Sequence, residues 1–293
     1  MQIQSIMIKE GYKVSITQLS KWFNIPRRTL YYKPKKRVTK LDQDRVKRVK
    51  EKIEQFPTYG YRRLALLTGM NKKAVQRILQ IKGWQVKKRT KGFRPRAKAM
   101  QSKTIAPNIR WAIDMTRVWC GSDGWSNLSA VIDTCTREIL GFRLSKSGKS
   151  KTSEAALQEA IIYRFGRLKK LDKSIVIRSD NGLVFSSKSF IKTIKDYNFK
   201  QEFITPYTPE QNGMIERFFR TIKEECIWQY NFKSFKEANE IITQWINFYN
   251  KKRKHSALGY KTPYDMYKFF RRFCHCLTLP SYKTPYDMYK LVA

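Results

Sequence analysis

Three carboxylates stand out by where they sit. Asp114 interrupts the apolar, β-branched run "IRWAIDMTRVW", Asp180 ends "SIVIRSD" and passes at once into Asn181-Gly182, and Glu216 lies in "QNGMIERFFRTIKEECIWQ". Thirty-five residues separate Asp180 from Glu216. A lone Asp between Ile113 and Met115 in a strand costs several kcal/mol of desolvation unless it is paired or coordinated. Hard oxygen donors suit Mg²⁺ or Mn²⁺. Two such ions about 3.5–4 Å apart activate an attacking oxygen on one side of a phosphodiester and stabilise the leaving oxygen on the other.

The elements around these residues must bring them together. "IRWAIDMTRVW", "LSAVID" and "EILGFRLS" read as strands, the last two joined by the turn "TCTR". "KTSEAALQEAIIYRFG" reads as a helix, "SIVIRSD" as a strand, "SSKSFIKTIKDYN" as a helix, "KQEFITP" as a strand and "QNGMIERFFRTIKEECIWQ" as a long helix. The order β-β-β-α-β-α-β-α predicts an α/β, ribonuclease H-like core over 104–230: a mixed five-stranded sheet with helices on both faces. Asp180 falls at the carboxyl end of a strand, where ligands gather in open α/β sheets. In the last helix Ile215, Phe218, Phe219, Ile222 and Cys226 form an apolar stripe, leaving Glu216, Arg220 and Lys223 on another arc.

Two other acids have simpler uses. Asp133 opens the "DTCTR" turn and suits capping of its backbone N–H groups, with a metal ligand as the lesser reading. Glu154 occupies the helix after the third strand, where a ribonuclease H carries a carboxylate, and also suits a first-turn partner of the helix dipole.

The chain carries 61 Lys+Arg against 23 Asp+Glu, a formal +38, far beyond what solubility requires. Residues 1–103 hold 29 basic and 5 acidic side chains, residues 104–227 hold 20 and 14, and residues 228–293 hold 12 and 4. Neither a membrane-surface nor a ribosomal protein asks for an acid-enriched centre between basic flanks; a nucleic-acid partner with a central catalytic domain fits the pattern better. No run of 18 apolar residues and no signal peptide is evident, so a cytoplasmic protein without a membrane partner is expected. The five cysteines are odd in number and irregularly spaced, which argues against a disulfide framework, and Cys274-His275-Cys276 with His255 lacks the second ligand pair of a zinc site.

The basic first third reads as an all-α, helix-turn-helix region over 1–86. In "SITQLSKWFNIPRRTLYYK", Leu19, Trp22 and Phe23 recur at helical spacing, Pro26 breaks the run, and a second helix presents Arg27 and Arg28 to phosphates. A plain helical hairpin gives the same pattern. A second pair, "YGYRRLALLT" and "KKAVQRILQIKGW", is divided by Gly69 as C-cap and Asn71 as N-cap, and offers Arg62, Arg63, Lys72 and Lys73. "KKRTKGFRPRAKAMQSK" (87–103) reads as a basic linker. Beyond the core, 231–268 reads as a helical extension, within which the helix "KEANEIITQWINFYNKKRKHS" ends in the basic run 251–254, a DNA-contacting cap. The remainder, 269–293, is an atypical tail in which "YKTPYDMYK" (260–268) recurs at 282–290 and Phe269, Phe270 and Phe273 are exposed unless they fold back.

The ordered set Asp114…Asp180-35-Glu216, with "YGYRR", "WAIDMT", "SDNG", "YTPEQNGMIERFFRTIKEE" and "YNKKRKHSALGYKTP", resembles the insertion-sequence transposases with a retroviral-integrase-type core, as their second reading-frame product. The resemblance implies metal-dependent cleavage and strand transfer of DNA, with Asp114, Asp180 and Glu216 as catalytic metal ligands and Mg²⁺ or Mn²⁺, two ions, as cofactor. It implies element ends and target DNA as partners, self-association on DNA, and an active enzyme that is often fused to an upstream reading-frame product. Arg220 and Lys223 would grip phosphates near the cut. The competing readings are a structure-selective nuclease on the same fold, which would depend on Glu154 rather than Glu216, and an inactive DNA-binding remnant.

Overall fold

The computed structural model describes residues 2–31, 41–86, 104–205 and 209–276. The basic linker 87–103 and the second "YKTPYDMYK" lie outside the described residues. The chain forms two compact units, 1–50 and 51–293.

In the first unit, α1 (Gln2–Lys9) is followed by α2 (Ile16–Trp22) and the single turn α3 (Arg27–Leu30). Ser15 caps α2: its Oγ accepts the Gln18 N–H at 3.2 Å, and Gln18 Oε1 accepts the Ser15 N–H at 2.8 Å. Of the three residues expected to pack, Leu19 is buried while Trp22 and Phe23 are exposed. Two helices this short have too little surface to cover them. Helix α4 (Gln43–Gln55), which the sequence reading did not single out, spans residue 50.

In the second unit, the end of α4 is followed by α5 (Tyr61–Thr68) and α6 (Lys72–Lys82). The junction is as the sequence reading has it: Gly69 adopts φ +67° at the C-cap of α5, and Asn71 Oδ1 accepts the Lys73 N–H at 2.9 Å.

The sheet comprises β1 (Arg110–Trp119), β2 (Trp125–Asp133), β3 (Ile139–Ser145), β4 (Ile175–Ser179) and β5 (Phe199–Phe203), in the order β3-β2-β1-β4-β5. The first three form an antiparallel meander, and β4 and β5 extend it in parallel. This is the ribonuclease H-like arrangement. Alternate residues of β1 serve opposite faces. Trp111 and Ile113 pack with Ala156, Leu157, Ala160 and Ile161 of α7 (Ser150–Phe165) and with Phe190 and Ile194 of α8 (Lys188–Asp196). Ala112 and Val118 pack with Ile215, Phe218, Phe219 and Ile222 of α9 (Gly213–Glu225) and with Ala238, Ile242 and Ile246 of α10 (Phe235–Lys251). At Gly141 on β3, a Cβ would stand 2.5 Å from the Ala160 nitrogen, so this approach of α7 to the sheet admits only glycine.

Residues 51–86 dock on this core. Phe56 stacks on Phe248 at 5.8 Å, and Arg63 pairs with Glu225 at 3.4 Å. The chain after α10 turns into α11 (Pro263–Cys276), in which Met266 and Phe270 join Leu258 and Cys135 in a small apolar cluster. The expected tail boundary at 268/269 therefore falls inside one helix. Phe270 is buried rather than exposed, and Phe269 packs on it at 6.0 Å.

Candidate active site

The β1–β4 register ends at Ala112↔Arg178, and two further residues along it place Asp180 beside Asp114. Asp114 shares the parity of Ala112 and Val118, so it faces the α9 side of the sheet. Glu216 lies in the first turn of that helix. All five apolar residues of the expected stripe, Ile215, Phe218, Phe219, Ile222 and Cys226, are buried against the sheet, while Glu216 is exposed beside them.

Electrostatics tie the three carboxylates together. The Asp114 carboxyl is pushed up to about 7, first by burial and then by the negative charges of Asp180 and Glu216; the Met115 N–H, which it accepts at 2.7 Å, and the Lys223 ammonium oppose the shift. Asp180 Oδ1 accepts the Gly182 N–H at 3.0 Å, and a Cβ at Gly182 would stand 2.9 Å from that oxygen. The "DNG" turn thus uses glycine to let the backbone close on the carboxylate. Among the described residues, no three His, Cys, Asp or Glu side chains stand close enough to enclose one metal ion as they are placed. The donor set nevertheless fits a hard divalent cation: all carboxylate oxygens, one of them desolvated enough to hold a proton near neutrality, the cost that such a cation would offset.

The other basic candidates fall into different surroundings. Lys223 lies within electrostatic reach of Asp114, and Arg220 pairs with Glu224 at 2.8 Å on the same helix. Lys72 and Lys73 are exposed at the start of α6, and Arg62 is exposed beside the Tyr61 ring. Arg27 and Arg28 are exposed on α3 in the other unit. Arg63 is directed to Glu225 and the Tyr59 ring. The basic run 251–254, expected as a DNA-contacting cap, loses Arg253 to the interior: its Nε and Nη2 reach Glu225 at 2.7 and 2.6 Å.

Of the remaining candidates, Asp133 takes a structural role. Asp133 is buried in its turn, accepting the N–H groups of Cys135, Thr136 and Asn108 at 2.8, 3.2 and 2.9 Å. Glu154 sits on α7, which packs against the sheet face opposite α9. His255 lies 3.2 Å from the Arg253 guanidinium, and burial with that neighbour holds its imidazole down to about 2. Cys120, Cys135 and Cys226 are buried free thiols.

Sequence reading missed Arg178. It is buried two residues before Asp180 on the α9 side of the sheet, with Nη2 on Glu202 at 3.0 Å and Nη1 on the Gln211 carbonyl at 2.8 Å. An arginine inside the apolar strand "IVIRSD" was the available signal.

Two family models, each described as an integrase core domain, match residues 105–209 and 197–263, running together without a break from 105 to 263. InsK, for insertion sequence element IS150 of Escherichia coli K12, is 29% identical over 270 residues, 85% of this chain and 92% of its own. The transposase for insertion sequence element IS904 of Lactococcus lactis is 29% identical over 168 residues, 57% of this chain; the match spans 64% of that relative's length, just under two thirds. The HTLV-2 integrase catalytic core domain in complex with magnesium is 20% identical with a TM-score of 0.42, covering 55% of this chain and 97% of that one.

Proposed function

We propose that this chain, an insertion-sequence transposase with an integrase-type core, cleaves DNA and transfers the cut strand through Asp114, Asp180 and Glu216. The observation that carries the reading is the coupling of one desolvated carboxylate to two others presented to the same face of the sheet. Bound Mg²⁺ or Mn²⁺, two ions on this reading, would supply Lewis acidity to the phosphodiester and its attacking oxygen. Asp114 on β1, Asp180 just after β4 and Glu216 in the first turn of α9 are the residues that would hold such ions. Lys223 steadies a phosphate beside Asp114. Attack by water cuts a strand, and attack by the freed 3′-hydroxyl joins it to a second duplex; both are in-line displacements that need no covalent enzyme intermediate.

The basic surfaces fit the same reading. Residues 1–103 carry 29 basic and 5 acidic side chains, and Arg27, Arg28, Arg62, Lys72 and Lys73 are exposed there to meet the phosphates of element ends. Target DNA would approach the carboxylates past Arg220 and Lys223. Self-association on DNA and fusion to an upstream reading-frame product belong to the same proposal. No helix among the described residues is long and apolar enough to cross a membrane, and the cytoplasm is where such DNA is reached. A structure-selective nuclease would place its third carboxylate at Glu154, but α7 packs on the face away from Asp114.

The test is cleavage and joining of duplexes bearing the element's ends in Mg²⁺ or Mn²⁺. Asp114→Asn, Asp180→Asn and Glu216→Gln should each abolish both reactions while DNA binding persists, since the basic surfaces are untouched. Cleavage without joining, lost in Glu154→Gln and retained in Glu216→Gln, would return the nuclease reading. DNA binding with no cleavage by the parent chain in either metal would mark an inactive remnant.

A further inference from the structure

We propose that Arg178 is a positioning residue that sets the separation between Asp180 and Glu216, an inference that rests on the carboxylate reading above. The two acids come from elements with no direct covalent neighbour: Asp180 follows β4, and Glu216 lies in the first turn of α9. Arg178 spans the gap. Its backbone is the penultimate ladder position of β4, paired in register with Glu202 of β5. Its Nη1 donates to the Gln211 carbonyl at 2.8 Å, five residues before Glu216 and next to the buried Asn212 that precedes α9. One guanidinium thus fixes the start of the glutamate's helix relative to the aspartate's strand.

Arg178 is itself held stiffly. Glu202 accepts its Nε at 3.3 Å and its Nη2 at 3.0 Å, and also accepts Arg110 Nε from β1 at 2.9 Å. A carboxylate shared by two arginines ties three adjacent strands, and the planar guanidinium leaves Nη1 with one direction to point. Lysine, a flexible point charge, cannot make the forked contact and the carbonyl contact together. Gln211 completes the linkage from the other side: its Oε1 accepts the Thr205 N–H at 2.9 Å and its Nε2 donates to Thr205 Oγ1 at 3.2 Å. Asn181 Nδ2 donates to the Ile204 carbonyl at 3.2 Å, anchoring the residue after Asp180 to the same segment. A cation shared between these acids would need Glu216 kept within reach of Asp180, which is what such a brace does.

The experiment compares the full-length parent with Arg178→Gln, Arg178→Lys and Gln211→Ala in three measurements: Mn²⁺ binding followed by electron paramagnetic resonance in the absence of DNA, DNA binding without metal, and cleavage as a function of Mn²⁺. The expected result is a Mn²⁺ dissociation constant weakened about tenfold to a hundredfold in the Arg178 variants. The half-saturating Mn²⁺ for cleavage should rise in parallel, DNA affinity should hold, and lysine should rescue little. Gln211→Ala, whose side chain is only partly buried, should weaken Mn²⁺ binding in the same direction and keeps the test open if Arg178→Gln does not fold. Folded variants that bind Mn²⁺ as the parent does would overturn the positioning role alone. A parent chain that binds no Mn²⁺ would overturn the carboxylate reading with it.

Discussion

Asp114→Asn should stabilise the metal-free protein at pH 8 while ending its activity. Folding lifts the Asp114 carboxyl from its ordinary 3.8 to about 7, chiefly by burial. Between those values the folded protein holds a proton that the unfolded chain has released, so stability falls as pH rises through this window. The full difference of 3.2 units, at 1.36 kcal/mol each, is about 4 kcal/mol, less whatever solvent screening relieves. Asparagine has nearly the shape of the acid and carries no charge to desolvate. Urea unfolding of parent and variant in chelator should therefore give curves that coincide near pH 4 and separate progressively to pH 8, with the variant the more stable. The same proton competes with metal, so half-saturating Mn²⁺ for the parent should rise about tenfold per unit below pH 7. A stability difference that is absent at pH 8, or that is flat from pH 5 to 8, would refute the account of Asp114 as a desolvated carboxylate awaiting a cation.

Other perturbations probe what holds the site in place. Glu225→Gln leaves Arg253, whose side chain is 5% exposed, without its counter-charge and should cost about 3–5 kcal/mol in chemical denaturation. Gly141→Ala sets a methyl group against the α7 backbone and should cost about 3 kcal/mol or fail to give folded protein, read by expression and circular dichroism. Truncation after Lys268 removes the buried Phe270 and should cost about 2–3 kcal/mol, read by urea unfolding.

Much of the core was legible because its signals are local. The strands alternate or run apolar, α9 repeats its stripe at helical spacing, and Gly69 and Asn71 mark a helix junction by backbone requirements each residue meets by itself. Asp114 could be found for the same reason: an acid within an apolar strand is anomalous wherever the rest of the chain lies. What escaped was pairing at a distance. Arg63 and Arg253 look like DNA contacts in a basic chain, yet both converge on Glu225, from 162 and 28 residues away. The helix through Phe270 escaped because the repeated segment suggested a break at Lys268, while the partners that bury it, Cys135 and Leu258, lie elsewhere in the sequence.

In a chain with 61 basic residues and 23 acidic ones, the acids are the scarce component, and their surroundings separate structure from chemistry. Glu225 takes Arg63 and Arg253, Glu202 takes Arg110 and Arg178, and Glu138 takes Arg164 at 2.8 Å with the Tyr163 hydroxyl at 2.7 Å. Each of these carboxylates is neutralised by arginine, the residue whose fork best satisfies an acid away from water. Asp114 is treated differently: it draws on a main-chain N–H and the field of Lys223, while two more acids face it and burial raises its proton affinity. On the function proposed above, this is the carboxylate whose desolvation a cation the chain does not itself supply would offset.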